Sequence, residues 1–572
     1  MWGSGNCQAL FGAAASSVRR ACLPNLNRYN QHRTDLDKLE WLMLMVHFWF
    51  FFTHIWSTEL RDRTGESCGE PVLTIDTLPN DVLLEIFAFC VLSPGDQPSR
   101  RMGEWKSLVQ VCKRWQETIY ASPRYLDLSL YLSNGDSVAE TLSRWPELPL
   151  ILGYSVSDKR DENLYNALAQ RDRICRIHLF MTRPEAAWIA QPMEQQFPHL
   201  TNLALIGMPK YDSDDMPYIS LDQFLGGSAP SLQYLRIDDF EYEGLPSLLS
   251  SAPNLISLKI DCIRSTCYVS PEVMVGALAG LTELRDLSIS FSPGFPTYLF
   301  QENKKRRSLH SPSLDRVIFP ALTKFQIGGD SEYLEDFVAL IDAPRLEDLH
   351  VMYVKDYEGF DSEGEIEARN LSQFIGRTST FKHAQFRRAK VTLCHTTGVE
   401  FDLPQGECPQ ARRISLKFLD KVMYEDDPNT PFLATDLDMI YVLGQLAIML
   451  SDVQHLSIKV IGSPRDEDYI LESGQLGVVW FPLLRSFTVV DVLHVSWKLV
   501  GSIALAINGA PESMITQVLP ALQILWLDDQ DTIRKGKLMT SAKQFLYSRK
   551  QSGRPVVIVN SHDQLVQRRN PH

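Results

Sequence analysis

The chain has 572 residues, 44% of them hydrophobic and 22% charged, which excludes a disordered polypeptide and a multi-span membrane protein. With 56 Lys and Arg against 70 Asp and Glu the formal net charge is −14, so bulk electrostatics repel nucleic acid and anionic lipid. The 10 cysteines are spread along the whole length without a CxxC pair or a histidine at ligand spacing, so they are expected to be buried small apolar residues in a reducing compartment.

Residues 1–70 form an N-terminal extension with one unusual stretch, WLMLMVHFWFFFTHIWST at 41–58, which carries no formal charge. Its length only reaches the lower limit for crossing a hydrocarbon core. His47, Thr53, His54 and Ser57 weaken it, and it starts too far from Met1 for an ordinary signal peptide. A buried or interfacial helix is the expectation, with a membrane anchor through 41–58 as the alternative. Gly65-Glu66-Ser67-Cys68-Gly69 has the letters of a nucleophile elbow but neither the buried strand before it nor the helix after it that the turn requires.

Residues 71–125 read as a helical module. In PVLTIDTLPNDVLLEIFAFCVL the apolar residues Val82, Ile86 and Phe89, with Leu83, Phe87 and Cys90, recur every three to four positions and predict a helix with two apolar faces. Pro79 suits the start of that helix and Asp81 complements the positive end of its dipole. After the breakers in 93–103, a second stripe (Trp105, Leu108, Val109, Cys112, Trp115, Ile119) predicts another helix that stops before Pro123. So short a module cannot cover its own apolar surface. Either the following domain covers it, or a partner protein receives an amphipathic helix pair.

Leu78-Pro79, Val82-Leu83, Ile86-Phe87 and the later Leu108, Val109-x-x-Cys112-Lys113-x-Trp115 resemble the F-box, particularly the F-box-like modules of large fungal families. The resemblance covers about a tenth of the chain, the size of a docking module. It implies a three-helix module that binds a Skp-type adaptor and, through it, a cullin scaffold and a ubiquitin-conjugating enzyme. It further implies adaptor contact at Leu78, Pro79, Val82, Leu83, Ile86 and Phe87, and a mixed packing and contact role at Val109, Cys112 and Trp115. The insert SPGDQPSRRMGEW is longer than in a minimal F-box, so the middle-helix contacts are not carried over.

Residues 126–550 repeat a pattern, Pro-x-Leu-x-x-Leu-x-[Ile/Val/Leu]. It occurs as Pro198-Leu200-Leu203-Leu205, Pro230-Leu232-Leu235-Ile237, Pro253-Leu255-Leu258-Ile260, Pro320-Leu322-Phe325-Ile327, Pro344-Leu346-Leu349-Val351, Pro482-Leu484-Phe487-Val489 and Pro520-Leu522-Leu525-Leu527. Leu284-Leu287-Ile289 and Val453-Leu456-Ile458 repeat it without proline. The alternating end of each copy predicts a half-buried strand, and SEYLEDFVALIDA at 331–343 an amphipathic helix. The expected fold is therefore α/β: the short helical module followed by an irregular leucine-rich-repeat-like solenoid with a curved parallel sheet, then a C-terminal tail at 551–572. Between Val351 and Val453 the copies fade, and KDYEGFDSEGEIEA and YEDD there read as solvated acidic loops.

Strand residues pointing away from the core (Ala204, Arg236, Lys259, Ser288, Gln326, His350, Trp526) would line one face. Arg236, Lys259 and His350 among them are candidates for a locally basic, target-binding patch. Lys304-Lys305-Arg306-Arg307 reads first as a solvated loop and second as a nuclear-import signal. The sequence holds no phosphate-cradling loop, no HExxH and no dense His/Asp/Glu cluster, so catalysis and cofactors are not expected. The expected function is that of the substrate-recognition subunit of an SCF-type ubiquitin ligase in the cytoplasm or nucleus, with an unknown protein target. The alternative is a repeat-containing interaction protein outside a ligase, tethered to a membrane if 41–58 spans one.

Overall fold

The computed structural model describes residues 78–91, 104–122, 128–155, 162–208, 217–292, 316–355, 368–382, 386–394, 398–404, 412–420, 450–461, 483–496, 517–528 and 549–560, with single positions between them. Outside them lie 41–58, Gly65–Gly69, the 304–307 basic run, the YEDD loop and most of 355–368. The chain divides into two compact units, Met1–Val82 and Leu83–His572. Of the first, residues 78–82 are described. Leu78 and exposed Pro79 precede helix α1 (Asn80–Val91), whose first turn carries Asp81 against the positive end of its dipole.

In the second unit α1 continues from Leu83 and is followed by α2 (Glu104–Leu108) and α3 (Lys113–Tyr120). The single stripe expected from Trp105 to Ile119 is thus broken. Cys112 is extended, with φ −158° and ψ 165°, and Val111 closes a tight turn onto Leu108. Two β-branched valines, at 109 and 111, weaken the helix at that point. The break still lets Trp105, Val109 and Ile119 all be buried.

The rest of the unit is mixed α/β around one 16-stranded sheet. Its first half consists of β1 (Leu130–Ser133), β2 (Leu150–Ser155), β3 (Ile174–Met181), β4 (Asn202–Gly207), β6 (Tyr234–Asp238), β8 (Ser257–Ile263), β9 (Asp286–Phe291) and β11 (Lys324–Gly329). Its second half consists of β13 (Asp348–Lys355), β14 (Arg388–Cys394), β15 (Gly398–Pro404), β16 (Arg413–Asp420), β17 (His455–Ile461), β18 (Val492–Ser496), β19 (Ile524–Asp528) and β20 (Val557–Asn560). Two short pairs lie outside it: β5 (Tyr218–Ser220) with β7 (Glu241–Glu243), and β10 (Val317–Ile318) with β12 (Ile341–Asp342).

Strand follows strand in chain order from β1 to β13, and again from β17 to β20. Between them the order runs β13, β16, β15, β14, β17, and β15 is antiparallel to both neighbours. The expected parallel sheet is interrupted at this point, in the region where the repeat fades, by antiparallel β15. The antiparallel pairs β14–β15 and β15–β16 need no crossover connection of the kind that parallel strands require.

Each Pro-x-Leu motif has a local cause. The Leu200, Leu232, Leu255, Leu322 and Leu346 amides donate to the carbonyl three residues back, which places each proline second in a tight turn, where its fixed φ is favourable. The next amide donates to the equivalent carbonyl of the preceding strand's turn: Gln233 to Thr201, Ile256 to Gln233, Arg285 to Ile256 and Thr323 to Arg285, at 2.8–2.9 Å. Beyond these stitches run two buried ladders. One passes through Leu203, Leu235, Leu258, Leu287, Phe325, Leu349 and Ile414, the other through Leu205, Ile237, Ile260, Ile289, Ile327, Val351 and Leu416.

Helices α4 (Val138–Arg144), α5 (Glu162–Leu168), α6 (Arg183–Met193), α7 (Leu245–Ser250), α8 (Pro271–Leu278), α9 (Ser331–Ala339), α10 (Arg369–Arg377) and α11 (Ser379–Lys382) connect the strands. They cover the apolar face: the ring of Phe325 lies 5.8 Å from Phe337 of α9 and 6.2 Å from Phe374 of α10. Asp330 caps α9, as the 331–343 pattern requires, and buried Glu335 accepts the Asn370 and Leu371 amides that open α10.

Two further expectations are corrected. The Pro482 copy does not form a strand at Phe487–Val489; Val489 is 41% exposed, and β18 begins at Val492. Val490, Leu493 and Val495, all buried, fill the three apolar positions six residues later, and the Asp491 amide makes the stitch, to Gln454. Nor is 551–572 only a tail, because β20 pairs in parallel with β19. Buried Arg549 secures this end of the chain by donating to the Val518, Leu519 and Leu522 carbonyls.

Candidate functional site

Two surfaces follow from the sequence pattern, the helical module and the face of the sheet turned away from the helices. In the module, Leu83 and Phe87 are fully buried and Val109 nearly so, and the Phe87 ring lies 4.8 Å from that of Trp115. All three side chains have little exposed surface in this structure. Pro79 is exposed and Leu78, Val82, Ile86, Cys112 and Trp115 are partly so. The following domain covers part of the module: the Trp105 indole N–H donates to the Ser129 carbonyl at 3.1 Å, and its ring meets Trp145 edge-on at 5.4 Å.

On the sheet, register aligns the expected row. Ala204, Arg236, Lys259, Ser288, Gln326 and His350 are successive partners from β4 to β13, and the row continues through Ser415 and Asp402. Further on it passes Ser457, His494 and Trp526. Side chains alternate along a strand, so all of these share one face. Arg236 and Lys259 are neighbours, whereas His350 is three strands beyond Lys259, about 14 Å away at ordinary strand spacing.

Both cations of the candidate patch on neighbouring strands are paired with aspartates. Arg236 pairs with Asp238 at 2.6 Å and Lys259 with Asp261 at 2.8 Å, each carboxylate two residues along the same strand. With Asp239 and Arg264 beside them, three carboxylates face three cations. Around Arg236 and Lys259 the charges of the face therefore balance.

Asp238, Asp239 and Cys262 each offer one ligand atom, all within 4.8 Å of one another, at the carboxyl ends of β6 and β8. Asp239 and Cys262 both have left-handed backbone, φ 54° and 57°. Burial, then the neighbouring carboxylates, pushes the Cys262 thiol up to about 12, and the Asp239 carboxyl, raised by burial and by Asp238, accepts from that thiol. The thiol therefore keeps its proton and Asp238 keeps its arginine. This is a self-satisfied polar cluster, not an open donor set.

Sequence reasoning missed Asp238 and Asp261, although a residue two along a strand from Arg236 or Lys259 must share its face. It also missed β1, β2 and β3, where Ile174-Ile177-Leu179 repeats the motif spacing without proline. Among the described residues no helix is long and apolar enough to cross a membrane. Compared with known protein families and curated proteins, the chain matches no family model and no curated sequence.

Proposed function

We propose that this chain is the substrate-recognition subunit of an SCF-type ubiquitin ligase, binding a Skp-type adaptor through an F-box-like module and a target protein through a leucine-rich-repeat-like domain. The observation that carries this reading is the pairing of two unlike parts in one chain. Three short helices include α1, on which Val82 and Ile86 are partly accessible, and just before it Leu78 is partly accessible and Pro79 exposed. A long sheet follows, its strands largely in chain order and the recurring leucines in its core. In this reading the chain is no enzyme and needs no cofactor; ubiquitin transfer belongs to the partners that the adaptor and cullin bring. It acts in the cytoplasm or nucleus.

The burial of Leu83 and Phe87 is the observation that favours a second reading, a repeat-containing interaction protein outside a ligase, because it narrows the docking surface. Affinity purification of the tagged chain followed by mass spectrometry separates the two. Adaptor recovered with cullin supports the ligase reading. Adaptor without cullin, or neither, supports the second.

A further inference from the structure

Strands β14 and β17 lie side by side in the interior of the sheet, each paired along both edges. Their parallel register sets Lys390 opposite Ser457 and Thr392 opposite Lys459. The residues between them, Val391 and Ile458, are fully buried in the core, so side-chain alternation puts all four on the polar face. Two ammonium groups thus take one diagonal of a small quadrilateral and two hydroxyls the other. At ordinary strand geometry it measures about 4.8 Å across the strands and about 6.6 Å along them.

The hydroxyls are short of partners. Thr392 is 4% exposed, and its Oγ1 and the Oγ of Ser457 are enclosed with no hydrogen-bond partner among the described residues. Enclosed polar groups almost always have one, so both O–H groups call for an acceptor. Neither β14 nor β17 contains an acidic residue to supply it. The two carboxylates of neighbouring β15 are answered on its far side, where Arg413 of β16 pairs with Asp402 at 2.7 Å and Lys417 stands opposite Glu400. On β6 and β8, by contrast, each cation has its aspartate two residues along the same strand.

We propose that Lys390, Thr392, Ser457 and Lys459 bind an oxyanion of the phosphate class. Two ammonium groups match the charge of a phosphate ester, about −1.5 to −2 at pH 7. The two hydroxyls donate to the oxygens that the lysines leave over. A carboxylate, with one negative charge on two oxygens, matches these four donors less well. The site does not rest on the ligase reading, since it needs neither adaptor nor target.

The test titrates inorganic phosphate into the full chain by calorimetry, in parallel with O-phosphoserine, which distinguishes a free ion from a phosphorylated side chain as the source. Saturable binding of either at one site per chain is expected, with competition by sulfate and none by equimolar acetate. Lys390→Gln and Thr392→Val should each weaken binding at least about tenfold, as loss of one hydrogen bond to a charged group implies. Thr392→Val removes an enclosed hydroxyl without a partner, so its folding should be unimpaired. On the wild-type chain, bound phosphate should slow acetylation of Lys390 and Lys459 by an N-hydroxysuccinimide ester, read by peptide mass spectrometry. The labelling needs no variant, so a folding defect cannot mimic it. Absence of saturable binding overturns the proposal. So does binding that both variants retain with no protection of the two lysines, or binding that acetate displaces as well as sulfate does.

Discussion

Trp105 illustrates how single side chains hold this unit together. It donates to Ser129 and lies against Tyr120 and Trp145, tying α2 to both α3 and the start of the sheet. Trp105→Phe keeps most of the ring packing but leaves the Ser129 carbonyl without its donor, and should cost about 1–3 kcal/mol in urea unfolding; an unchanged midpoint would show that the bond contributes nothing. Gly207 is the tightest contact of another kind. A Cβ there would lie 1.8 Å from the Asp239 carbonyl oxygen, a backbone atom that cannot swing away, and Asp239 already has left-handed φ. Gly207→Ala should therefore destabilise by about 2–3 kcal/mol, a typical cost of overpacking, and a thermal melt coincident with wild type would contradict that. Cys262 gives a chemical test. With its thiol pushed up to about 12, the reactive thiolate is scarce at pH 8 and increases about tenfold per pH unit. Iodoacetamide should label it slowly in folded protein and readily in urea, as followed by peptide mass spectrometry; rapid labelling in the folded state would refute the half-buried, carboxylate-flanked environment.

The elements show where the reading of the sequence holds and where it stops. Pro-x-Leu-x-x-Leu marks a turn followed by a strand, because the proline favours the turn and both leucines enter the core. The segment 482–495 contains two frames with the same spacing, 484/487/489 and 490/493/495, and the exposure of Val489 with the pairing of β18 selects the second. Leu493→Ala should accordingly cost about 2–5 kcal/mol as a fully packed leucine, whereas Val489→Ala should fall within about 0.5 kcal/mol as a surface change. Equal effects in denaturant unfolding would return the strand to the earlier frame. Apolar periodicity marks the helix at Asn80–Val91 but not the face it presents. A helix with apolar residues on two faces does not reveal which face its own chain covers, and Leu83 and Phe87 prove to be the covered ones. The polar face of the sheet is legible in the sequence as a row but not as a potential, because the charges of Arg236 and Lys259 are offset by aspartates two residues along.

At the scale of the molecule, a single sheet of sixteen strands gives a long frame, and each strand is stitched to its neighbour by backbone bonds that do not depend on side-chain identity. The polar face is thereby free to vary, while the proposed adaptor contacts are Leu78, Pro79, Val82 and Ile86. The account joins these as handle and receptor. Its most direct test is calorimetric titration of a purified Skp-type adaptor into the full chain and into Leu78→Ala/Pro79→Ala. The account predicts saturable binding by wild type and a loss of about 2 kcal/mol, roughly thirtyfold, in the variant, with the melting temperature of the sheet unchanged. Absence of binding by the wild-type chain, or equal affinity for both proteins, would contradict it.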